Sequence, residues 1–332
     1  MTTAPTRTLL ALVVLAAALG ACGSGTDELI VYSGRGENLV GPLLERFAED
    51  TGVPIAVRYD NSAELALLIA EEGERTPADV FLSQSPGAVG FLAEQGLLRA
   101  LPDATVGVVD PRFRSDRRLW VGVSGRQRVL VYNQELVAED QLPESVFDLT
   151  APRYRGQVGV APANASFQDF VTAMQQRHGR DRTLEWLRGM AENDAPTYAN
   201  NNAILDAVSR GEIPMGLVNH YYNHRFLAED PELPSRNHVF PGGDIGALVI
   251  ESTVSVLSDD ERAVLFVEYM LSERAQRYFA EETFEYPLVP GVEPAADLPP
   301  LETLTLPEVD IERLGGELKS TLELIERSGL QG

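Results

Sequence analysis

From residue 28 onward, short apolar strands alternate with amphipathic helices, and this alternation restricts the chain to a small set of folds. Glu28–Ser33 (ELIVYS) reads as a strand, and Asn38–Glu49 places leucine and phenylalanine at helical spacing until Thr51-Gly52 stops it. Pro54–Tyr59 is the next strand, and Ser62–Glu72 is a helix with Ser62 as its expected N-cap. Ala78–Leu82 and Gly87–Gln95 give a third strand and a third helix. Strands and helices joined by only a few residues make βα units, and βα units build parallel sheets.

The pattern changes near Trp120. Leu119–Val123 and Arg128–Tyr132 read as two strands separated by Ser124-Gly125-Arg126, a crossover between two bodies. A second series follows: a strand over Gln157–Val160, helices from Phe167, over Thr183–Ala191 and over Ala203–Ser209, then a strand over Met215–Val218. The β-branched run Ala247–Leu257 returns the chain to the first body, and Glu261–Leu271 and Glu273–Ala280 are helices. Val289–Pro307, rich in proline and acids, reads as a surface strap. Ile311–Ser328 reads as a final helix interrupted by Gly315-Gly316. The prediction is an α/β fold of two lobes, each a mainly parallel sheet flanked by helices, joined by extended hinge strands. Ligands of such sheets collect where strands end. The segments to inspect are therefore Ser33–Glu37, Ser83–Ser85, Ala163–Ser166, Asn200–Asn202 and Asn219–Tyr222.

The N-terminus points to a compartment. Arg7 precedes an uncharged run, Leu9–Ala21, too short to span a bilayer but suited to a secretory signal over residues 1–21. It ends in Leu19-Gly20-Ala21-Cys22, and Cys22 is the only cysteine. This tetrapeptide resembles the lipobox of bacterial lipoproteins, which implies a lipidated Cys22 and a tether over residues 22–27. The expected location is extracytoplasmic, lipid-anchored to the cell membrane. A formal net charge of -23 excludes nucleic acid and anionic membrane surfaces as partners.

Two features carry possible chemistry. Leu217–Phe226 (LVNHYYNHRF) places Tyr221 and Tyr222 where a strand passes into a helix capped by Asn219. In the first turn, neighbouring side chains are about 100° apart and both phenols can lean into one cleft. A hard trivalent cation there favours the phenolate form. Taken alone, the dipeptide is better explained by one core ring and one surface ring. His220 and His224 stand at the i, i+4 spacing used by zinc sites, but only His178 and His238 remain besides them, and solvent-facing histidines explain the pair better. No nucleophile triad, phosphate-binding glycine loop or zinc-hydrolase helix is apparent, so catalysis is not expected.

Five motifs in order resemble the ferric-ion-binding proteins of ABC iron importers: YSGRGE at Tyr32–Glu37, TPADVFLSQ at Thr76–Gln84, SGRQRVLVYN at Ser124–Asn133, NNNAILDAVSRGEI at Asn200–Ile213, and LVNHYYNHRF. The similarity covers nearly the whole mature chain. It implies a type II-like periplasmic-binding-protein fold, with lobe 1 over 28–125 plus 250–300 and lobe 2 over 126–249 plus 301–332. It implies a monomeric receptor that carries ferric iron to an ABC permease, with Tyr221 and Tyr222 as ligands. Glu37 stands where some members have a tyrosine, and Gly36 where many have histidine. Gln84, at the position of a glutamate, is a weaker donor that fits a hydrogen-bonding role. The resemblance assigns a synergistic anion, phosphate or carbonate, to Ser85, Asn164, Ala165, Ser166, Asn201 and Asn219. Helix-start amides and asparagine donors suit it. Arg35 and Arg126 are candidates to add charge, while Tyr132 and Tyr198 read as structural. The same architecture also serves phosphonates, polyamines and thiamine, and a sensor role or a zinc hydrolase built on His220 and His224 are further alternatives.

Overall fold

The computed structural model describes residues 28–295, 298–310, 313–314 and 317–330. The signal over 1–21, Cys22, the tether and Gly315-Gly316 lie outside the described residues.

The first series forms as the pattern predicts: β1 (Leu29–Ser33), α1 (Glu37–Thr51), β2 (Ile55–Tyr59), α2 (Ser62–Glu72), β3 (Val80–Ser83) and α3 (Pro86–Glu94). A short α4 (Asp103–Val106) leads to β4 (Val121–Asn133). The second series is β5 (Val158–Gly159), α5 (Ala165–His178), α6 (Arg180–Glu192), α7 (Asn201–Ser209), β6 (Met215–Asn219), α8 (His220–Glu229) and β7 (Ser235–His238). Then come β8 (Val249–Val256), α9 (Glu261–Met270), α10 (Glu273–Glu281), β9 (Tyr286–Pro287) and α11 (Leu318–Ser328). Among its described residues the strap forms a 3-10 turn at Leu301–Thr303.

Strand order is β2-β1-β3-β8-β4-β6-β5, with β7 and β9 also pairing β4. The βα units pair in parallel, β1 with β2 and β3, and β5 with β6. The strands that return between bodies, β8 and β4, pair antiparallel. Each sheet is therefore mixed rather than mainly parallel.

The crossover differs from expectation. Instead of two strands broken at Ser124-Gly125-Arg126, β4 is continuous over 13 residues, all buried. Its first half pairs β8 and its second half, from Arg128, pairs β6, so one strand belongs to both sheets. Its polar centre does not mark a turn. Gly125 is required for close approach: a Cβ there would lie 3.1 Å from Val249 Cγ1 and 3.2 Å from Tyr286 Cβ.

One cap also moves. Asn61, not Ser62, caps α2 by accepting the Glu64 N–H at 2.9 Å. The Ser62 hydroxyl is buried one residue further on and accepts the Gln84 N–H at 2.9 Å, joining α2 to the end of β3.

Apolar packing holds the site's supports. In the second body α6 buries Leu184, Trp186, Leu187 and Met190, each contributing about 1.5–3 kcal/mol. Phe170 of α5 meets Trp186 edge-on at 5.7 Å, and α11 buries Leu324 and Ile325 in the same cluster. Gly216 lets α7 lie directly on β6, because an added Cβ would overlap the Ile204 side chain. Gly216→Ala is expected to cost about 1–3 kcal/mol by overpacking, read as a lower urea midpoint with an unchanged slope.

Candidate metal and anion site

β6 is buried along its length and delivers Asn219 to the N-cap of α8. Tyr221 and Tyr222 follow in the first turn. Their rings stay together, with centroids 4.2 Å apart and planes 28° apart, rather than dividing between core and surface. Tyr221 is buried and Tyr222 half-buried. Burial, then the neighbouring Tyr222, pushes the Tyr221 phenol well above its ordinary value, while Arg35 and Arg126 pull it down.

Three buried guanidiniums surround this pair: Arg35 from the β1–α1 loop, and Arg126 and Arg128 from β4. Residues 126 and 128 alternate onto one face of the strand. Arg35 forms a buried ion pair with Glu285, which also accepts from Ser124 Oγ. Burial alone would lower the Arg35 pKa, but Glu285 and the phenols outweigh it. Arg126 donates to the Gln84 carbonyl, tying β4 to the end of β3. Burial, relieved in part by Tyr222, brings Arg128 down to about 9, and no carboxylate forms an ion pair with it among the described residues. Several N–H groups have no partner: Arg35 Nε and Nη1, Arg126 Nε, and Arg128 Nε and Nη2. A buried, under-bonded cationic cluster works against burial at the Tyr221 phenol and favours negative charge on a small ligand.

The expected anion residues converge on Arg128. Its Nη1 donates to Asn219 Oδ1 at 3.1 Å and to Ser166 Oγ at 3.4 Å. Asn219 thus sits at the N-cap position with its side chain turned to Arg128 instead of capping α8. Asn164 caps α5, accepting the Ser166 N–H at 3.1 Å and hydroxyl at 2.7 Å. Asn201 donates to Ser166 Oγ at 3.2 Å, and its own Oδ1 is buried without a partner. Ala165 begins α5, so its N–H has no acceptor within the helix. Arg128 was missed in the sequence. The signal was there: two arginines two apart within an apolar strand, RQRVLVY, must share a face.

Ser85 takes another role. Its hydroxyl donates to Asp169 Oδ1 at 2.9 Å, joining the N-cap of α3 to α5 across the two bodies. Burial raises Asp169 to about 6, against the pull of Ser85 and the arginines. Gln84 is half-buried and is anchored through its backbone. Glu37 begins α1 exposed to solvent, and no hydrogen bond links it to the tyrosines among the described residues. Tyr132 is buried with the apolar core, and Tyr198 packs at the edge of the cluster around Ile204.

Glu251 of β8 is buried with neither carboxylate oxygen hydrogen-bonded. Burial raises it to about 8. A group raised on folding supports stability below its unfolded pKa and loses that support as pH rises through the folded value. Stability is therefore expected to fall between about pH 4.5 and 8 on account of Glu251. Glu251→Gln flattens that part of the profile, measured by urea midpoints across pH.

The histidines are not solvent-facing. His220 is buried, its Nδ1 accepting the Gln127 N–H at 3.0 Å and its Nε2 lying 2.8 Å from the Phe284 carbonyl, and burial lowers its pKa to about 3. His224 is buried too, ring-stacked on Phe284. With both His220 nitrogens committed to backbone, its ring locks α8 against the 284 loop. No group of three His, Cys, Asp or Glu side chains that could hold a metal occurs among the described residues.

Two sheet-and-helix bodies sharing the strand β4, with a polar cleft at their strand ends, define the two-lobed solute-binding class. The chain belongs to the bacterial extracellular solute-binding protein family, whose model matches residues 75–313. It is 31% identical to the Fe(3+)-binding periplasmic protein of Serratia marcescens, over 94% of each chain. It is 32% identical to the major ferric iron-binding protein of Neisseria meningitidis serogroup B, over 98% of this chain and 100% of that one. Among solved structures it matches iron-bound HitA from Pseudomonas aeruginosa at 34% identity with a TM-score of 0.85, covering 91% of this chain and 99% of that one. The expected two-lobed architecture is the one these structures share. The family role is that of an extracytoplasmic receptor serving an ABC permease, with no chemical step. No helix among the described residues is long and apolar enough to cross a membrane.

Proposed function

We propose that this protein captures ferric iron between its lobes and delivers it to an ABC permease. Tyr221 and Tyr222 are the ligands, as phenolates. The observation that carries the reading is the stacked tyrosine pair at the start of α8, set among three buried guanidiniums. A trivalent ion repels that basic cluster on its own. Two phenolates and an anion offset the repulsion, and the arginines make all three charges easier to hold. Arg128, Ser166, Asn164, Asn201, Asn219 and the Ala165 amide hold the anion, phosphate or carbonate being the simplest. Ser85 acts from the edge as a cross-lobe contact. Glu37 supplies a further oxygen from lobe 1, and Gln84 a hydrogen bond. Supporting the iron assignment are relatives named for ferric iron that align along nearly the full chain. The buried guanidiniums oppose polyamines and thiamine, which are cationic.

The lobes comprise 28–125 plus 250–300 and 126–249 plus 301–332, hinged on β4 and β8. The mature protein is a monomer lipid-anchored through Cys22. The test is metal analysis with a visible spectrum on protein purified without chelators. A tyrosinate-to-iron band with one iron per chain is expected. Protein that stays colourless after addition of a ferric salt with phosphate or carbonate sinks the reading.

A further inference from the structure

We infer that the turn between α5 and α6 carries a second anion site, remote from the cleft, which takes a free, compact oxyanion of the sulfate or phosphate type. It stands independently of the ferric reading.

The site lies at the far end of α5. Ala165 begins that helix in the cradle and His178 ends it, ~20 Å along its axis. There a cavity of about 200 Å³ is lined by Arg177, His178, Arg182 and Asp244, with Pro241, Gly242 and Gly243 adding no charge to the wall. The chain as a whole has a net charge of -23, yet Arg177–Arg188 carries four arginines against only Asp181 and Glu185.

One aromatic ring sets the geometry. Arg182 lies over Phe147, its Cζ 4.2 Å from the ring centroid, and His178 meets the same ring edge-on at 4.9 Å. A guanidinium resting on a ring keeps its N–H groups for an acceptor. Arg177 donates to the Glu308 carbonyl at 3.3 Å, and neither Arg177 nor Arg182 forms an ion pair among the described residues. Asp244, the one acid lining the cavity, is committed elsewhere. Its Oδ2 accepts the Ser145 hydroxyl at 2.6 Å, and its Oδ1 accepts the Val146 and Gly246 N–H groups at 3.2 and 2.7 Å. The positive field is therefore not cancelled at His178. Burial, then Arg182 and Arg177, lower its pKa against the pull of Asp244. A bound oxyanion supplies the missing charge and accepts from both guanidiniums and the imidazolium. The volume falls below the roughly 300–1,000 Å³ of sites for larger ligands, and it suits an ion of a few atoms with its waters.

Proton NMR of the full-length protein reads this site through its four histidines, with His178→Gln assigning the ring signal. Sulfate is the probe, since it does not itself titrate where histidine does. It is compared with chloride at equal ionic strength, because screening alone also moves an exposed charge. The His178 signal is expected to shift with saturation, half-complete on the order of 1 mM. Its pKa is expected to rise by about one pH unit, because a bound anion favours imidazolium. Arg177 and Arg182 are exposed, so Arg177→Gln and Arg182→Gln should each weaken sulfate about tenfold with an unchanged urea midpoint. A response linear in sulfate, matched by chloride, or unaltered in both arginine variants overturns the site. Phosphatidylglycerol vesicles form a second arm: a shift with them and none with sulfate makes the ligand a lipid headgroup and overturns the free oxyanion.

Discussion

Replacing either Tyr221 or Tyr222 by phenylalanine is expected to weaken ferric binding roughly a thousandfold, about 4 kcal/mol. The visible band should be lost or displaced. Each change removes one oxygen and nothing else. The 4.2 Å ring stack is preserved, so the fold persists. The penalty is large because nothing nearby replaces the oxygen. His220 is committed to backbone on both nitrogens, and Glu37, at the start of α1, already gives its own oxygen in the proposed set. Loss of one phenolate also leaves the arginine cluster less neutralised, so the remaining ion meets more repulsion. Competition against a graded series of chelators gives the affinities. A Tyr222→Phe protein that keeps both its band and its affinity would remove that ring from the ligand set.

The second large effect concerns the hinge. Glu285→Gln should destabilise the fold by about 3–5 kcal/mol, the usual cost of leaving one buried ion without its partner. Arg35 and Glu285 are both fully buried, and Arg35 already has Nε and Nη1 without acceptors. Removing the carboxylate leaves a guanidinium beside Arg126 in a dry environment. The double change Arg35→Met with Glu285→Gln should recover much of the loss, since neither ion then remains. Urea midpoints of the two singles and the double form the cycle. If Glu285→Gln alone is as stable as the wild type, Arg35 draws its compensation from elsewhere.

Much of the fold was readable because burial imposes period. The leucines of Asn38–Glu49 and the apolar alternation of Pro54–Tyr59 can be satisfied only as a helix and a strand packed on a common core. What misled was polarity within a buried strand. Ser124-Gly125-Arg126 looks like a turn, yet each residue has a tertiary reason to stay extended: a glutamate for the serine, a close strand for the glycine, a carbonyl for the arginine. The same reasoning explains His220 and His224. Polar rings at i and i+4 suggest a solvated face, but backbone from Gln127 and Phe284 partners His220, and the Asn237 side chain and the Phe284 ring meet His224.

At the site, the residues proposed for the anion came from the family resemblance, and Arg128, which they surround, was not among them. Asn164, Ser166, Asn201 and Asn219 stand at strand ends and helix starts, where neutral donors are expected, and Arg128 is what they gather around.

The order of elements, the two bodies and the place of the tyrosine pair were settled by local rules, since hydrophobic period and helix-start chemistry act over a few residues. The pairing of Arg35 with Glu285, 250 residues apart, of Ser85 with Asp169, and of one strand with two sheets was settled only by folding. Buried charges take whichever partner the packed chain brings within reach, and linear spacing carries no record of that distance.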